Sequence, residues 1–173
     1  MVFLAADLSD EDMLRYGGDL KFLESELVKR DALGHGVHVW KCATDTPNGV
    51  GFWAGGDIAA GGEIYSYLAL FPSKLGDLPV LEGKKAWTES GWRRKGLSRA
   101  LLQAAAEIAP VISDSDGMTT MAFAQWNSLK GFRRRWWDVE TACFVDDATV
   151  PPEDRLTGFE NGKRWSMMLE LDI

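Results

Sequence analysis

The chain has few of the residues that build disulfide frameworks and metal sites. Its 173 residues include two cysteines, Cys42 and Cys143, and two histidines, His35 and His38. The cysteines lie far apart without C-x-x-C spacing, and the histidines have no metal-ligand spacing. A disulfide scaffold, a redox pair and a metal centre are therefore not expected. We expect a buried pair of free thiols and a cytoplasmic protein.

Long apolar runs and excess positive charge are also missing. No apolar segment reaches the roughly 20 residues that cross a bilayer, and residues 1–6 lack the basic start of a signal peptide. Lys and Arg number 19 against 26 Asp and Glu, which gives a net charge of −7. Neither nucleic acid nor membrane is an expected partner. An amine or a basic protein patch remains a suitable substrate.

What is present indicates one ordinary globular domain over residues 1–173. The composition is 46% hydrophobic and 26% charged, with no internal repeat, low-complexity segment or linker. In the first half, periodicity predicts these elements: helices at Glu11–Arg15 and Leu20–Ala32, strands at Val37–Cys42, Val50–Gly56 and Ile64–Phe71, a turn at Thr46–Gly49, a polar link and a short strand at Lys85–Thr88.

The second half reads as alternating helices and strands. Its predicted elements are a helix ending near Ala109 before Pro110, a turn at Asp114–Gly117, a strand at Met118–Ala124, a short helix at Leu129–Trp137, and closing strands near Thr141–Val145 and Arg164–Leu171. The pattern predicts a single α+β domain with a mixed, mostly antiparallel twisted sheet flanked by helices.

The most informative stretch is the basic turn that opens the alanine- and leucine-rich helix. It contains Arg93, Arg94 and Lys95, then Gly96, and leads into the helix with Leu97, Ser98 and Arg99. The start of a helix exposes backbone N–H groups at the positive end of the helix dipole, which favours anions. Gly96 permits close approach of a ligand, and the cations add charge around a phosphate. The turn predicts a phosphate-bearing ligand.

Arg93-x-x-Gly96-x-Ser98 resembles the Arg/Gln-x-x-Gly-x-Gly/Ala loop of the GNAT superfamily of acyl-CoA-dependent N-acetyltransferases, with Ser98 in place of the usual Gly or Ala. The resemblance implies a GNAT-like fold in the order strand, loop, helix, strand, helix, strand. It implies acetyl-CoA as co-substrate, with its pyrophosphate on the amides of residues 93–99. Trp87 and Thr88, just before the loop, would supply the amides that polarise the thioester.

Further along the chain the resemblance weakens. Many family members have an Asn after the fifth strand, and Asn127 lies in a comparable place, where its amide would contact the pantetheine arm. The tyrosine that protonates the leaving thiolate would stand seven residues on, at Arg134, and no tyrosine follows Tyr67. The Arg133–Arg135 run either binds the cofactor's adenosine phosphate or an acidic partner, or forms a solvated helix face paired with Asp138 or Glu140.

Amine acetylation also needs a group that takes a proton. Family members often place a Glu on the strand before the loop, which makes Glu89 the favoured catalytic base and Glu82 the second candidate. The expected function is acetyl transfer from acetyl-CoA to a primary amine of a small molecule or protein.

The alternative is a catalytically inactive GNAT-like domain that acts as a binding or assembly module. A homodimer or protein partner would then use exposed tryptophans, for which the candidates are Trp92, Trp126, Trp136, Trp137 and Trp165.

Overall fold

The protein is described from a computed structural model over residues 20–57, 63–113, 120–154 and 164–172. The predicted helix at Glu11–Arg15 and turn at Asp114–Gly117 lie outside these ranges. The elements are β1 (Glu26–Lys29), β2 (His38–Ala43), β3 (Val50–Gly55), β4 (Ile64–Leu75), β5 (Leu78–Thr88), α1 (Leu97–Ala106), β6 (Val111–Ile112), α2 (Thr120–Ser128), β7 (Phe132–Asp138), β8 (Cys143–Val145) and β9 (Trp165–Leu171). Within these ranges, no helix is long and apolar enough to span a membrane.

The nine strands form one sheet in the order β1-β2-β3-β4-β5-β6-β9-β7-β8. The chain runs antiparallel from β1 to β5, then crosses through α1 and returns as β6 parallel to β5. The remaining neighbours pair antiparallel. The α+β class with a mostly antiparallel sheet is therefore confirmed.

Helix α1 covers one face of the sheet with an apolar stripe. Leu97, Leu101, Leu102 and Ala105 are buried and pack against inward-facing residues of the strands, which include Phe52, Leu68 and Leu70. Spacings of three and four residues place these α1 side chains on one side of the helix. The packing fixes the start of α1 relative to the end of β5.

The opposite face carries four aromatic residues in register across four strands. Trp40 is paired with Trp53, Trp53 with Tyr67, and Tyr67 with Trp87. Trp40 and Trp53 stack with ring centroids 5.4 Å apart, and all four side chains are buried. We call this set the aromatic row. Direct cross-strand aromatic pairs stabilise a sheet beyond the area they bury.

The predicted helix at Leu20–Ala32 is wrong. The segment forms a short 3-10 turn at Phe22–Glu24, strand β1, and a turn in which Asp31 and His35 have positive φ. The Asp31 N–H donates to Nδ1 of the buried His38 at 2.8 Å. Pairing with β2 thus outweighs a spacing of apolar residues that also fits a helix.

The assignments at 118–137 are reversed, because helix α2 comes first and strand β7 follows it. Phe132 and Trp136 are buried on one side of β7. A separation of four residues puts two side chains on one face in either a helix or a strand, so this pair did not distinguish them.

The predicted polar link between Phe71 and Lys85 is also wrong, because it completes the long hairpin of β4 and β5. The hairpin turns at Gly76, where φ is +59°. The expected pair of buried thiols is half right. Burial raises the pKa of Cys42 to about 11, but Cys143 is exposed.

Candidate functional site

Strand β5 parts from β6 soon after the two strands meet. Their parallel pairing covers Leu81 with Val111 and Glu82 with Ile112, whereas β5 continues to Thr88. Between Gly83 and Thr88, no strand within the described ranges pairs with β5 on that side. This segment, which we call the open edge, presents backbone groups that can hydrogen-bond an extended ligand.

Strand alternation decides which groups of the open edge are available. The Glu89 N–H bonds to the Tyr65 carbonyl at 2.8 Å, so Trp87, two residues earlier, directs its N–H and C=O to β4 as well. Ala86 and Thr88 direct theirs to the open side. The Trp87 N–H is therefore used within the sheet and does not face the open edge. Thr88 remains a candidate, and Ala86, which the sequence prediction did not include, faces the same side.

The open edge leads into the Arg93–Gly96 loop, in which Arg94 and Gly96 have positive φ. The angle φ is −67° at Arg93, +62° at Arg94 and +85° at Gly96, whereas Lys95 is not among the positive-φ residues. Turns that combine negative and positive φ can direct successive N–H groups toward one concavity, an arrangement that binds anions. Gly96 is the N-cap of α1 and provides no side-chain cap. The N–H groups of Leu97, Ser98 and Arg99 have no acceptor within the helix.

Side chains on both sides hold this loop in place. Arg93 Nε donates to the Thr88 carbonyl, which faces the open side, at 3.2 Å. Lys95 Nζ lies 5.0 Å from the centroid of the Trp92 ring, and Trp92 stacks on Tyr65 at 4.1 Å. Arg94 is exposed. A residue other than glycine at positive φ carries strain of the order of 1 kcal/mol, so this conformation depends on its neighbours.

Helix α2 contacts the start of α1, next to the Arg93–Gly96 loop. Gln125 Nε2 donates to Ser98 Oγ at 2.6 Å, which links α2 to the first turn of α1. Asn127 lies at the exposed end of α2. Its assignment depended on a strand at 118–124, of which the described residues 120–124 are helical, so its predicted contact with the pantetheine arm has no support from its position.

At the other end of the open edge, β5 carries a bulge and a close charge pair. The register with β4 shifts between Ala69–Lys85 and Leu70–Gly83, which leaves Lys84 as the extra residue. Lys84 Nζ lies 2.9 Å from Glu82 Oε1, and both side chains are largely buried. Burial also lowers the pKa of Lys85. Bulges are frequent beside active sites, where they redirect side chains.

The two glutamates predicted as bases therefore lie far apart. Glu82 stands where β5 leaves β6, whereas Glu89 follows the last residue of β5 beside the loop. Seven residues of extended chain separate them, a span of about 23 Å. A ligand bound along the open edge brings a given reactive atom near one of them and not both.

A cleft of about 530 Å³ flanks the loop on the β1 side of α1. Its polar lining is formed by Lys29, Lys95, Arg99, Gln103 and Glu107, and its apolar lining includes Leu33, Val39 and the exposed Val28. Its volume lies within the range of small-molecule pockets. The lining contains three cations, Lys29, Lys95 and Arg99, and one carboxylate, Glu107, so the cleft favours an anionic ligand.

The arginines at 133–135 are committed to the fold. Arg133 and Arg135 both pair with Glu170 on β9, and Arg135 also covers the Phe144 ring at 3.7 Å. Arg134 donates to the Leu129 carbonyl at 2.9 Å and the Trp126 carbonyl at 3.3 Å. The run is thus a strand rather than a helix face, and it pairs with Glu170 rather than with Asp138 or Glu140.

The tryptophans that were expected to be exposed on a partner surface are not exposed. Trp126, Trp136 and Trp165 are buried, and Trp92 and Trp137 are half-buried. The large hydrophobic residues that are exposed in the described ranges are Leu27, Val28, Ile108 and Val139.

The comparisons with known proteins add no identity to this geometry. No protein-family model matches the chain, and no curated protein or solved structure is significantly similar to it.

Proposed function

We propose that the protein binds an acyl-coenzyme A, with acetyl-CoA as the co-substrate, and transfers the acyl group to a primary amine of a small molecule or protein. The observation that carries the proposal is the open edge of β5, which ends at the Arg93–Gly96 loop. Residues 78–138 follow the order strand, loop, helix, strand, helix, strand. This is the order that the GNAT resemblance implies.

The loop suits the pyrophosphate. Its turn with positive φ and the first-turn amides of α1 offer N–H groups to an anion, and Arg94 and Lys95 add exposed charge beside them. The adjoining cleft, with Lys29 and Arg99 in its lining, offers room for the nucleotide end of the cofactor. The Arg133–Arg135 run is not used, because its charges already have partners.

The open edge suits the pantetheine arm in both chemistry and length. The arm contains two amide groups, which can exchange hydrogen bonds with the N–H and C=O of Ala86 and the N–H of Thr88, as an added strand would. The arm is roughly thirteen atoms long. Because a polypeptide backbone has three atoms per residue, the arm spans about four residues of extended chain. Four residues separate Thr88 from Lys84. With the pyrophosphate at the loop, the thioester then lies beside the bulge.

This orientation moves the role of base from Glu89 to Glu82. The base has to be within hydrogen-bond reach of the attacking amine, and the amine has to reach the thioester. Glu82 stands at that end of the open edge, and Glu89 at the pyrophosphate end. Because no tyrosine follows Tyr67, the departing thiolate takes its proton from water or from protonated Glu82.

The first test is thermal unfolding with increasing acetyl-CoA, with adenosine phosphates as controls. A ligand present at about 100 times its Kd adds roughly 2.7 kcal/mol to the free energy of unfolding. Gly96→Trp fills the loop and is expected to abolish the stabilisation. Gly36→Trp is the matched control, because Gly36 also has positive φ, +73°, but has open space around its Cβ position.

Stabilisation by acetyl-CoA that survives in Gly36→Trp and disappears in Gly96→Trp would support the cofactor site. An amine-acceptor screen with thiol detection would then test transfer. No stabilisation at millimolar acetyl-CoA would overturn the proposal and favour the inactive-module alternative.

A further inference from the structure

The charge pair at the bulge brings an amine close to the reaction centre proposed above. Lys84 Nζ lies 2.9 Å from Glu82 Oε1, with side-chain exposures of 19% and 11%. A lysine is usually solvated, because burying an ammonium is costly unless it is paired. Here the backbone bulge inserts Lys84 as an extra residue. Its amine is thereby held against the carboxylate assigned as the base.

We propose that Lys84 is an acyl acceptor within the chain: bound acyl-CoA transfers its acyl group to Lys84 Nζ of the same molecule. The inference rests on the proposed function, because it needs a thioester beside the bulge. The open edge from Lys84 to Thr88 matches the length of the pantetheine arm. The thioester carbonyl and the Lys84 amine are therefore at the same end of that edge.

The chemistry balances with the groups present. The Lys84 ammonium gives a proton to the Glu82 carboxylate, and the neutral amine attacks the thioester carbonyl. The C–S bond breaks as the C–N bond is completed, and coenzyme A leaves as a thiolate. The thiolate takes the proton held by Glu82, and the second proton of the amine passes to solvent. The products are N-acyl-Lys84 and free coenzyme A.

The step requires a neutral amine, and the carboxylate that takes the proton of the ammonium lies 2.9 Å from it. Both side chains are largely buried, so few water molecules compete with the contact between Lys84 and Glu82. An acyl-Lys84 would no longer carry the charge that pairs with Glu82.

The experiment incubates the full chain with acetyl-CoA and follows each lysine by peptide mass mapping. Lys74 is the control, because it is exposed on β4. Chemical acylation by acetyl-CoA modifies the exposed Lys74 before the buried Lys84, whereas the proposal predicts Lys84 first. The Lys84 rate is expected to be independent of protein concentration, and Glu82→Gln to lower it at least about tenfold.

Two variants keep failure of this inference separate from failure of the proposed function. Lys84→Arg keeps a charge opposite Glu82 but offers a guanidinium, which stays protonated. It is expected to retain stabilisation by acetyl-CoA and to lose the modification. If the wild type binds acetyl-CoA but Lys84 stays unmodified, or reacts no faster than Lys74 or Lys85, the inference is overturned and the proposed function stands. A rate that rises with protein concentration would overturn transfer within one molecule. No binding of acetyl-CoA would overturn both.

Discussion

Two basic triplets, Arg93-Arg94-Lys95 and Arg133-Arg134-Arg135, look alike in the sequence and differ in the structure. The second lies in a regular strand, where its side chains meet a carboxylate, a ring and the carbonyls at the end of α2. The first lies in a loop with positive φ at Arg94 and Gly96, and Arg94 and Lys95 have no carboxylate partner among the described residues. Charge that the fold neutralises is structural, and charge that it leaves exposed is available to a ligand.

The largest expected effect follows from reversing the available charges. The double variant Arg94→Glu, Lys95→Glu should weaken acetyl-CoA binding about a hundredfold or more, since each charge-assisted hydrogen bond contributes about 1.5–3 kcal/mol. Titration calorimetry measures the change. The matched double variant Arg133→Glu, Arg135→Glu should lower the melting temperature and keep the wild-type Kd at a temperature where it is folded. Equal losses of acetyl-CoA affinity in the two double variants would show that the two triplets do not differ in their availability to a ligand.

The next effect concerns stability alone. Arg134→Ala removes two hydrogen bonds to the end of α2 and should lower the free energy of unfolding by about 1–2 kcal/mol. Arg94→Ala should change it by no more than about 0.5 kcal/mol, because the side chain is exposed. Urea unfolding monitored by circular dichroism gives both values. A larger loss in Arg94→Ala would mean that the first triplet is also structural.

A third effect concerns Asp138, the last residue of β7, which also carries the second triplet. It appears only at acidic pH. The hydrogen bond from Arg164 lowers the pKa of Asp138 from 3.8 to about 2. Because the folded pKa is lower than the unfolded one, this interaction stabilises the protein above about pH 4 and is lost as the pH falls toward 2. Asp138→Asn should flatten the dependence of the melting temperature on pH in that window. An unchanged slope would show that Asp138 does not contribute.

The smallest expected effect separates binding from stability within the first triplet. Arg94→Gly relieves a residue at φ +62° and should raise the free energy of unfolding by up to about 1 kcal/mol. It should also weaken acetyl-CoA binding, because a cation is lost. Differential scanning calorimetry with and without acetyl-CoA measures both. A variant that loses stability would indicate that Arg94 makes contacts that outweigh its strain.

The parts of the fold that sequence predicted are those in which local signals agree. The β2–β3 hairpin combines alternating apolar residues with Asn48-Gly49, and α1 combines an apolar stripe with a proline just after it. The β4–β5 hairpin was missed, although Gly76-Asp77 is a two-residue turn signal. The segment was interpreted as a polar, glycine-containing link, and its Pro72 and Pro79 both lie in strands.

The sequence predicts where the loop of the site lies, but it does not predict how the groups around the loop are arranged. Arg93, Gly96 and Ser98 form a local motif, so the sequence locates the loop. Whether Ala86 or Trp87 faces the open edge depends on a bulge, and whether Arg134 is free depends on α2. Neither has a local signature. The positions of Glu82 and Glu89 relative to a ligand depend on where β6 ends, which is also a long-range property.

The extra residue at the bulge, Lys84, shifts the alternation of side chains along β5 by one residue. Before it, odd-numbered residues such as Leu81 face α1, and after it even-numbered residues such as Ala86 do. This shift lets Trp87 complete the aromatic row on the opposite face. Deleting the single residue Lys84 would remove the bulge and leave Ala86 and Trp87 on the faces they occupy now, whereas regular pairing with Lys84 retained would turn Trp87 toward α1 and Ala86 away from it. The bulge thus determines which side chains of this eleven-residue strand lie on each face of the sheet and which backbone groups lie at the open edge.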